Sequence, residues 1–277
     1  VRSVVLDSVV PNRLALGSEH ARNLEQALRA LFAVCTADAA CGHRFGDSYA
    51  RLYRLRDQLQ AHPQQVSFND PNTFEPTQAL MSAEDLTSIV RFYAYNPLTA
   101  ALLPLILHEA EHGNFAPLLS QRRLLTDTLG AELSSALALS VACAEDVDLL
   151  ARTAEDAATL MGQTEVTRLQ EACRIWPRGE RPPSFHQPWR SDTPVLLLAG
   201  QYDPVTPPAY ATEVLQGLSH GRVLLASGQG HSVMTAGCLP RIMAQFIDAP
   251  QPSKLDVQCL SELGNTPSFV DFNGAPP

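Results

Sequence analysis

Lysine is almost absent from this sequence. Of 20 basic residues only Lys254 is a lysine, and 29 acidic residues bring the formal net charge to −9. A phosphate-binding surface needs concentrated basic side chains, and no such patch is visible, so nucleic acid is excluded as an expected partner. Long apolar runs are missing too. The best, Leu133 to Ala144, is interrupted by serines and falls short of the roughly 18 continuous apolar residues of a membrane span, so no span is expected. No CxxC pair and no Cys/His cluster of zinc-finger spacing occurs, which argues against a structural metal. The 21 prolines and 15 glycines are scattered rather than clustered, which excludes a low-complexity linker. With 45% of its 277 residues hydrophobic, the chain can bury one large core or two small ones.

Cysteine is present in an even number, six, at positions 35, 41, 143, 173, 238 and 259. Fifteen pairings are open to six cysteines. The simplest is sequential, Cys35 with Cys41, Cys143 with Cys173 and Cys238 with Cys259, and it implies an oxidising compartment. The alternative is six buried thiols in a cytosolic enzyme. The chain opens with VRSVVLDSVV, which reads as a buried strand rather than a leader, so the sequence is expected to start in mid-fold.

Three regions separate by pattern. Residues 1–11 are an apolar strand ended by Pro11. Residues 12–190 read as almost entirely helical, with apolar positions at helical spacing over Glu19 to Val34, Ser48 to Ala61, Ser82 to Phe92, Ala100 to His112 and Leu118 to Leu139. Ser82 followed by Asp85 offers an N-terminal capping arrangement, although the box prefers Glu or Gln there. Residues 191–277 change character. VLLLAG after Pro194 is a continuous apolar run typical of a buried parallel strand. A loop QYDPVTPP follows, then a helix to Leu215, a strand Val223 to Ala226, a loop GQGHS and an amphipathic helix through Ile242, Met243, Phe246 and Ile247. Strand and helix in alternation specify α/β architecture with a parallel sheet.

In such sheets functional groups collect in loops leaving the C-terminal ends of strands. Asp203 and His231 each follow one of the two late strands. A carboxylate and then a histidine on successive loops matches the chain order Ser, Asp, His of α/β-hydrolases. The acid would accept the Nδ1 hydrogen of His231 while Nε2 takes a proton from serine. Taken singly, an Asp-Pro turn and a Gly-His-Ser turn are common loop elements.

TPVLLLAGQYDPVTPPAYA, followed by GQGHSVMTAGC and the distal Cys259-Leu260, resembles the C-terminal region of the tripeptidyl-aminopeptidase-like α/β-hydrolases, relatives of proline iminopeptidase. VRSVVLDSVVP resembles the strand after the nucleophile elbow of that family. ALLPLILHEAEHGNFAPLL, LSVACAED and ACRIWP resemble its helical cap. The resemblance implies an α/β-hydrolase fold with a large helical cap insertion over 12–190, flanked by core segments 1–11 and 191–277. It also implies an exported serine peptidase, periplasmic or extracellular, acting from peptide N-termini and needing no cofactor. The family's G-x-S-x-G elbow is absent. Gly17-Ser18-Glu19 lacks the flanking glycines and follows the strand instead of preceding it. The nucleophile and the oxyanion segment are therefore expected upstream of Val1, on a missing N-terminal part that acts as this chain's partner.

Other residues suggest binding or rival chemistry. Glu145 and Asp146 are candidates for binding a substrate's free amino terminus, because relatives place acids against the substrate amine and an ammonium ion prefers a partly desolvated carboxylate. A solvated acidic turn beside a disulfide is the plainer reading. Trp176 and Trp189 suit core or cap packing better than a pocket. His108-Glu109-Ala110-Glu111-His112 satisfies H-E-x-x-H, the two imidazoles of a zinc peptidase, with Glu132 imaginable as third ligand. No third histidine follows at the right spacing, and Gly113 is expected to end the helix at once. A non-catalytic binding protein of the same fold is the remaining alternative.

Overall fold

A computed structural model describes residues 1–132 and 134–275, and the side chains of 128–132 lie outside the described set. In chain order the elements are β1 (Val4–Asp7), α1 (His20–Ala37), α2 (Ala39–Phe45), α3 (Ser48–Ala61), β2 (Gln64–Asn69), β3 (Pro76–Met81), α4 (Ala83–Tyr93), α5 (Pro97–Ala100), α6 (Leu103–Glu111), α7 (Ala116–Glu132), α8 (Ser135–Glu145), α9 (Ala154–Ala157), α10 (Thr164–Ala172), β4 (Val195–Gly200), α11 (Pro208–Leu215), β5 (Gly221–Ala226) and α12 (Leu239–Asp248). They group into two compact units, one of residues 1–27 with 135–265, the other of 28–134 with 266–277.

The first unit is built on a three-stranded parallel sheet in the order β1-β4-β5, with Val4 opposite Val195 and Val195 opposite Gly221. Every residue of β4 is buried, as its unbroken apolar run requires of a central strand covered on both faces. The period of two sends its side chains into two cores. Leu196 and Leu198 pack with Leu224, Val233, Leu239, Ile242 and Phe246, whereas Val195, Leu197 and Ala199 pack with Ala211 and Leu218. Each fully buried leucine here stabilises by about 1.5–3 kcal/mol relative to an exposed one. On α12 the apolar stripe is Leu239, Ile242 and Phe246. Met243 is only partly buried, and Ile247, expected on the same face, is 55% exposed.

The second unit is mainly helical. Its α4 starts with a complete capping box, in which the Ser82 hydroxyl accepts from Asp85 N and the Asp85 carboxylate accepts from Ser82 N, so aspartate serves here in place of the preferred glutamate. Gly113, at a φ of +88°, follows the end of α6 as expected. Helical periodicity missed one feature, the antiparallel hairpin β2–β3, in which Gln64 faces Met81 and Asn69 faces Pro76. Its strands alternate between exposed positions and partly buried ones, ending on the fully buried Met81, the two-residue period of a half-buried sheet. Asp70 closes the turn by accepting from the amides of Asn72 and Thr73. Those two bonds also hold its carboxyl below the usual range. The single helix expected over Leu118 to Leu139 is two helices, α7 and α8.

All six cysteines are paired sequentially. Cys35–Cys41, Cys143–Cys173 and Cys238–Cys259 have Cα separations of 5.2, 5.2 and 6.4 Å, within the span of ordinary disulfides. Cys35 and Cys41 lie in one cluster with Phe45 and Leu105, against which Phe269 of the C-terminal segment packs. Cys143 and Cys173 anchor a cluster with Ala15, Val147, Leu150 and Val166. No helix among the described residues is long and apolar enough to cross a membrane.

Candidate active site

The site forms where β4 and β5 end. Gly200, the last residue of β4, stands so close to the following loop that a Cβ on it would lie 1.8 Å from the carbonyl oxygen of Gly230. Only a residue without a side chain lets the two loops meet there. The approach is tied by Tyr202 N donating to Gln229 O at 2.9 Å and Gly228 N donating to the Gln201 side-chain carbonyl at 2.8 Å. It brings the loop carrying Asp203 against the loop carrying His231.

Asp203 is 2% exposed, and all its acceptor capacity is used. Oδ1 accepts the amides of Val205 and Thr206, each at 2.8 Å, an Asx turn that follows from Asp-Pro at this point of the loop. Oδ2 accepts the Thr206 hydroxyl at 2.7 Å and faces His231 Nδ1 at 2.9 Å. The Thr206 hydroxyl also lies 3.3 Å from the same imidazole nitrogen. Burial pushes the Asp203 carboxyl up. The hydrogen bonds from His231 and Thr206 and the attraction to His231 outweigh it, and the net shift is below the usual carboxylate range. Asp203 is thus an anionic acceptor at neutral pH, and His231 Nδ1 is committed to donating to it. Proton exchange with a third group falls to Nε2.

A second layer supports the acid loop. Asn23 on α1, 8% exposed, donates from its side chain to Val205 O and to the Tyr210 hydroxyl, both at 2.8 Å. The Tyr210 hydroxyl donates in turn to Glu19 at 2.5 Å. Burial pushes the Tyr210 phenol well above its ordinary range, ahead of the bond to Glu19, so it stays a neutral donor. Thr206 and Asn23 were not singled out by the sequence reading. Thr206 was legible in retrospect, since a hydroxyl three residues after an Asx-turn aspartate returns to it. Nothing around Asn23 announced its role.

Glu145 and Asp146 are not drawn into this hydrogen-bonded group. They sit at the end of α8, beside the cluster around Cys143. Asp146 is 6% exposed, and burial raises its carboxyl despite a hydrogen bond from the Leu16 amide. Glu145 is half-buried, and its backbone carbonyl lies 2.8 Å from His186 Nε2. Trp176 packs against the same cluster and donates from Nε1 to Ser140 Oγ at 3.1 Å. Trp189 is 42% exposed and lines a cavity of about 200 Å3 with Pro11, Arg13, Arg190 and Glu213.

The side chains of the H-E-x-x-H segment are engaged by neighbouring groups. Glu111 is held by Arg51 and Arg54 at 2.6 and 2.7 Å, and Glu109 accepts from the Asn114 side chain at 2.8 Å. His112 Nδ1 lies 2.7 Å from the carbonyl oxygen of His108, while His108 packs edge-on to Phe45. The Glu132 side chain lies outside the described residues. Among those described, no group of three or more His, Cys, Asp or Glu residues is placed to hold a metal ion.

Residues 158–259 match the family model described as TAP-like protein, which makes this stretch similar to the C-terminal region of TAP-like α/β-hydrolases. It contains β4, β5, Asp203 and His231. No curated protein matches the chain.

Proposed function

We propose that this protein is a serine-type exopeptidase, in which Asp203 orients His231 and His231 acts as general base and acid toward a serine carried outside residues 1–277. The observation that carries the reading is the pairing of a fully hydrogen-bonded, buried Asp203 with His231 Nδ1 at 2.9 Å, on successive loops at the C-terminal ends of neighbouring parallel strands. That arrangement supports the reading of the two as acid and base of a hydrolytic triad, and the TAP-like match over the same residues supports hydrolysis as the reaction.

In this reading Nε2 of His231 removes the serine proton as the hydroxyl attacks the scissile carbonyl. The resulting imidazolium is stabilised by Asp203, and the proton passes to the leaving amine. Water activated by the same nitrogen then releases the acyl group. In this reading, helical segments lying between the core segments in sequence select the substrate. Glu145 and Asp146 supply negative charge for the peptide's ammonium group, and the more accessible Glu145 makes the direct contact. Three disulfides suit a protein exported to the periplasm or the cell exterior.

The test is to express residues 1–277 in cis with the polypeptide encoded immediately before Val1 and expose the product to a serine-directed fluorophosphonate. Labelling is expected, together with cleavage of peptides that have a free N-terminus and not of their N-acetylated counterparts. His231→Ala should abolish labelling, and Asp203→Asn should lower turnover on the order of 10^4-fold by favouring the wrong tautomer. Peptidase activity that survives His231→Ala and disappears with a chelator would overturn the proposal in favour of His108 and His112.

A further inference from the structure

The loop behind His231 is held by a residue to which no role has so far been assigned. We infer that Asp7, with Ser8 beside it, is a positioning residue for His231. The inference rests on the reading of His231 as general base.

The three amides that follow His231 all donate to this pair. Ser232 N donates to Ser8 Oγ at 2.9 Å, Val233 N to Asp7 Oδ1 at 3.0 Å and Met234 N to Asp7 Oδ2 at 2.9 Å. The Ser8 hydroxyl lies 3.3 Å from Asp7 Oδ1, so the two acceptors are themselves linked. A carboxylate with one oxygen on each of two successive backbone N–H groups fixes both position and orientation of the segment, and its charge strengthens both bonds.

Asp7 is itself tied into the sheet. It ends β1 opposite Leu198 of β4, and Ser8 N donates to Leu198 O at 3.0 Å. The same β4 leads into the loop of Asp203. Acid and base are therefore referenced to one strand, Asp203 through its own loop and His231 through Asp7 and the β1–β4 ladder. The backbone shows the constraint. Ser8 and Ser232 have φ values of +59° and +62°, a left-handed conformation that non-glycine residues keep only where their surroundings impose it. Each of these serines is one partner of the Ser232 N to Ser8 Oγ bond. The Val233 side chain, 2% exposed, anchors the far side of the loop in the core under α12.

Asp7→Asn keeps the shape but sets an NH2 group against a backbone N–H, so one of the two amides loses its acceptor. In residues 1–277 labelled with 15N-histidine, long-range 1H–15N spectra of the wild type should show His231 as the Nδ1–H tautomer with a downfield proton in the bond to Asp203. Asp7→Asn should lose that proton signal and show mixed tautomers. In the polypeptide extended upstream, kcat should fall about 10^2-fold, the cost of roughly 1 Å of misplacement, with KM unchanged. Asp7→Glu, which retains the charge, should recover part of the loss. Should Asp7 variants fail to fold, Ser8→Gly accommodates the positive φ and removes the hydroxyl that accepts from Ser232 N and lies against Asp7 Oδ1; it should weaken the same His231 signal. A Tm loss in Asp7→Asn or Ser8→Gly with the His231 tautomer and kcat unchanged would overturn the inference and leave Asp7 a structural residue. A wild type that shows the tautomer, loses it in Asp7→Asn and never labels with the phosphonate would uphold the positioning role and sink the hydrolase reading alone.

Discussion

One methyl group added at Gly200 should disable His231 without touching it. A Cβ on Gly200 would meet Gly230 O at 1.8 Å and Gln229 O at 2.9 Å. Carbon-to-oxygen contacts rest at about 3.3 Å or more, so the backbone just before His231 must retreat by more than about 1 Å. Overpacking of this kind costs about 1–3 kcal/mol, and in a unit of this size each kcal/mol lowers Tm by about 2–4 °C. Because Gly230 directly precedes His231, the displacement reaches the imidazole, where roughly 1 Å costs on the order of 10^2 in rate. Gly200→Ala should therefore lower Tm by several degrees, leave the circular dichroism spectrum intact and slow phosphonate labelling about 100-fold in the upstream-extended protein. Gly217→Ala is the control. Its Cβ would lie 2.0 Å from Trp189 O, a comparable clash, but at the opposite, N-terminal ends of β4 and β5. It should cost similar stability and leave labelling rate intact. Wild-type labelling and unchanged Tm in Gly200→Ala would refute the close approach on which the site's geometry depends.

Three further outcomes are expected. Arg51 and Arg54 hold the Glu111 carboxyl at about 2, below its ordinary 4.5, so its stabilising contribution is complete above pH about 4.5 and disappears as pH falls through about 2. The Tm difference between wild type and Glu111→Gln should shrink across that window, and a difference that persists at its acid end would contradict the ion-pair assignment. Cys143–Cys173 closes a loop of 30 residues, and replacing both cysteines by alanine should cost about 3–4 kcal/mol by denaturant unfolding, whereas no change would mean the bridge is absent in solution. Asn23→Ala deprives Val205 O of its donor and should destabilise by about 1–3 kcal/mol; a neutral result would show that water replaces the amide.

The sequence by itself determined the elements whose signal is local. VLLLAG was legible as a strand covered on both faces, because an unbroken apolar run of that length, following Pro194 and ending in Gly200, offers no exposed side. The capping box at Ser82 and the stop at Gly113 were legible for the same reason, since each needs only residues within one turn. Cysteine spacing made sequential pairing the simplest of many schemes. Asp203 and His231 were legible as candidates because parallel topology dictates where strand-following loops collect. The β2–β3 hairpin was passed over because its short alternating strands lie between long helical stretches, where the helical period dominates a wide window. What needed tertiary structure is what depends on distant residues meeting. That Gly200 must lack a side chain follows from Gly230 arriving in front of it. That Asn23 matters follows from α1 packing beside a loop more than a hundred residues away, with Val205 O 2.8 Å from its amide. No pattern near Asp7 announced that its carboxylate would receive the amides behind His231, because the strand ladder that joins them is formed only on folding. Hydrophobic period and turn chemistry act over a few residues and survive in one dimension. Hydrogen bonds between loops leave no trace in a single sequence, because either partner alone looks like an ordinary polar residue in a turn.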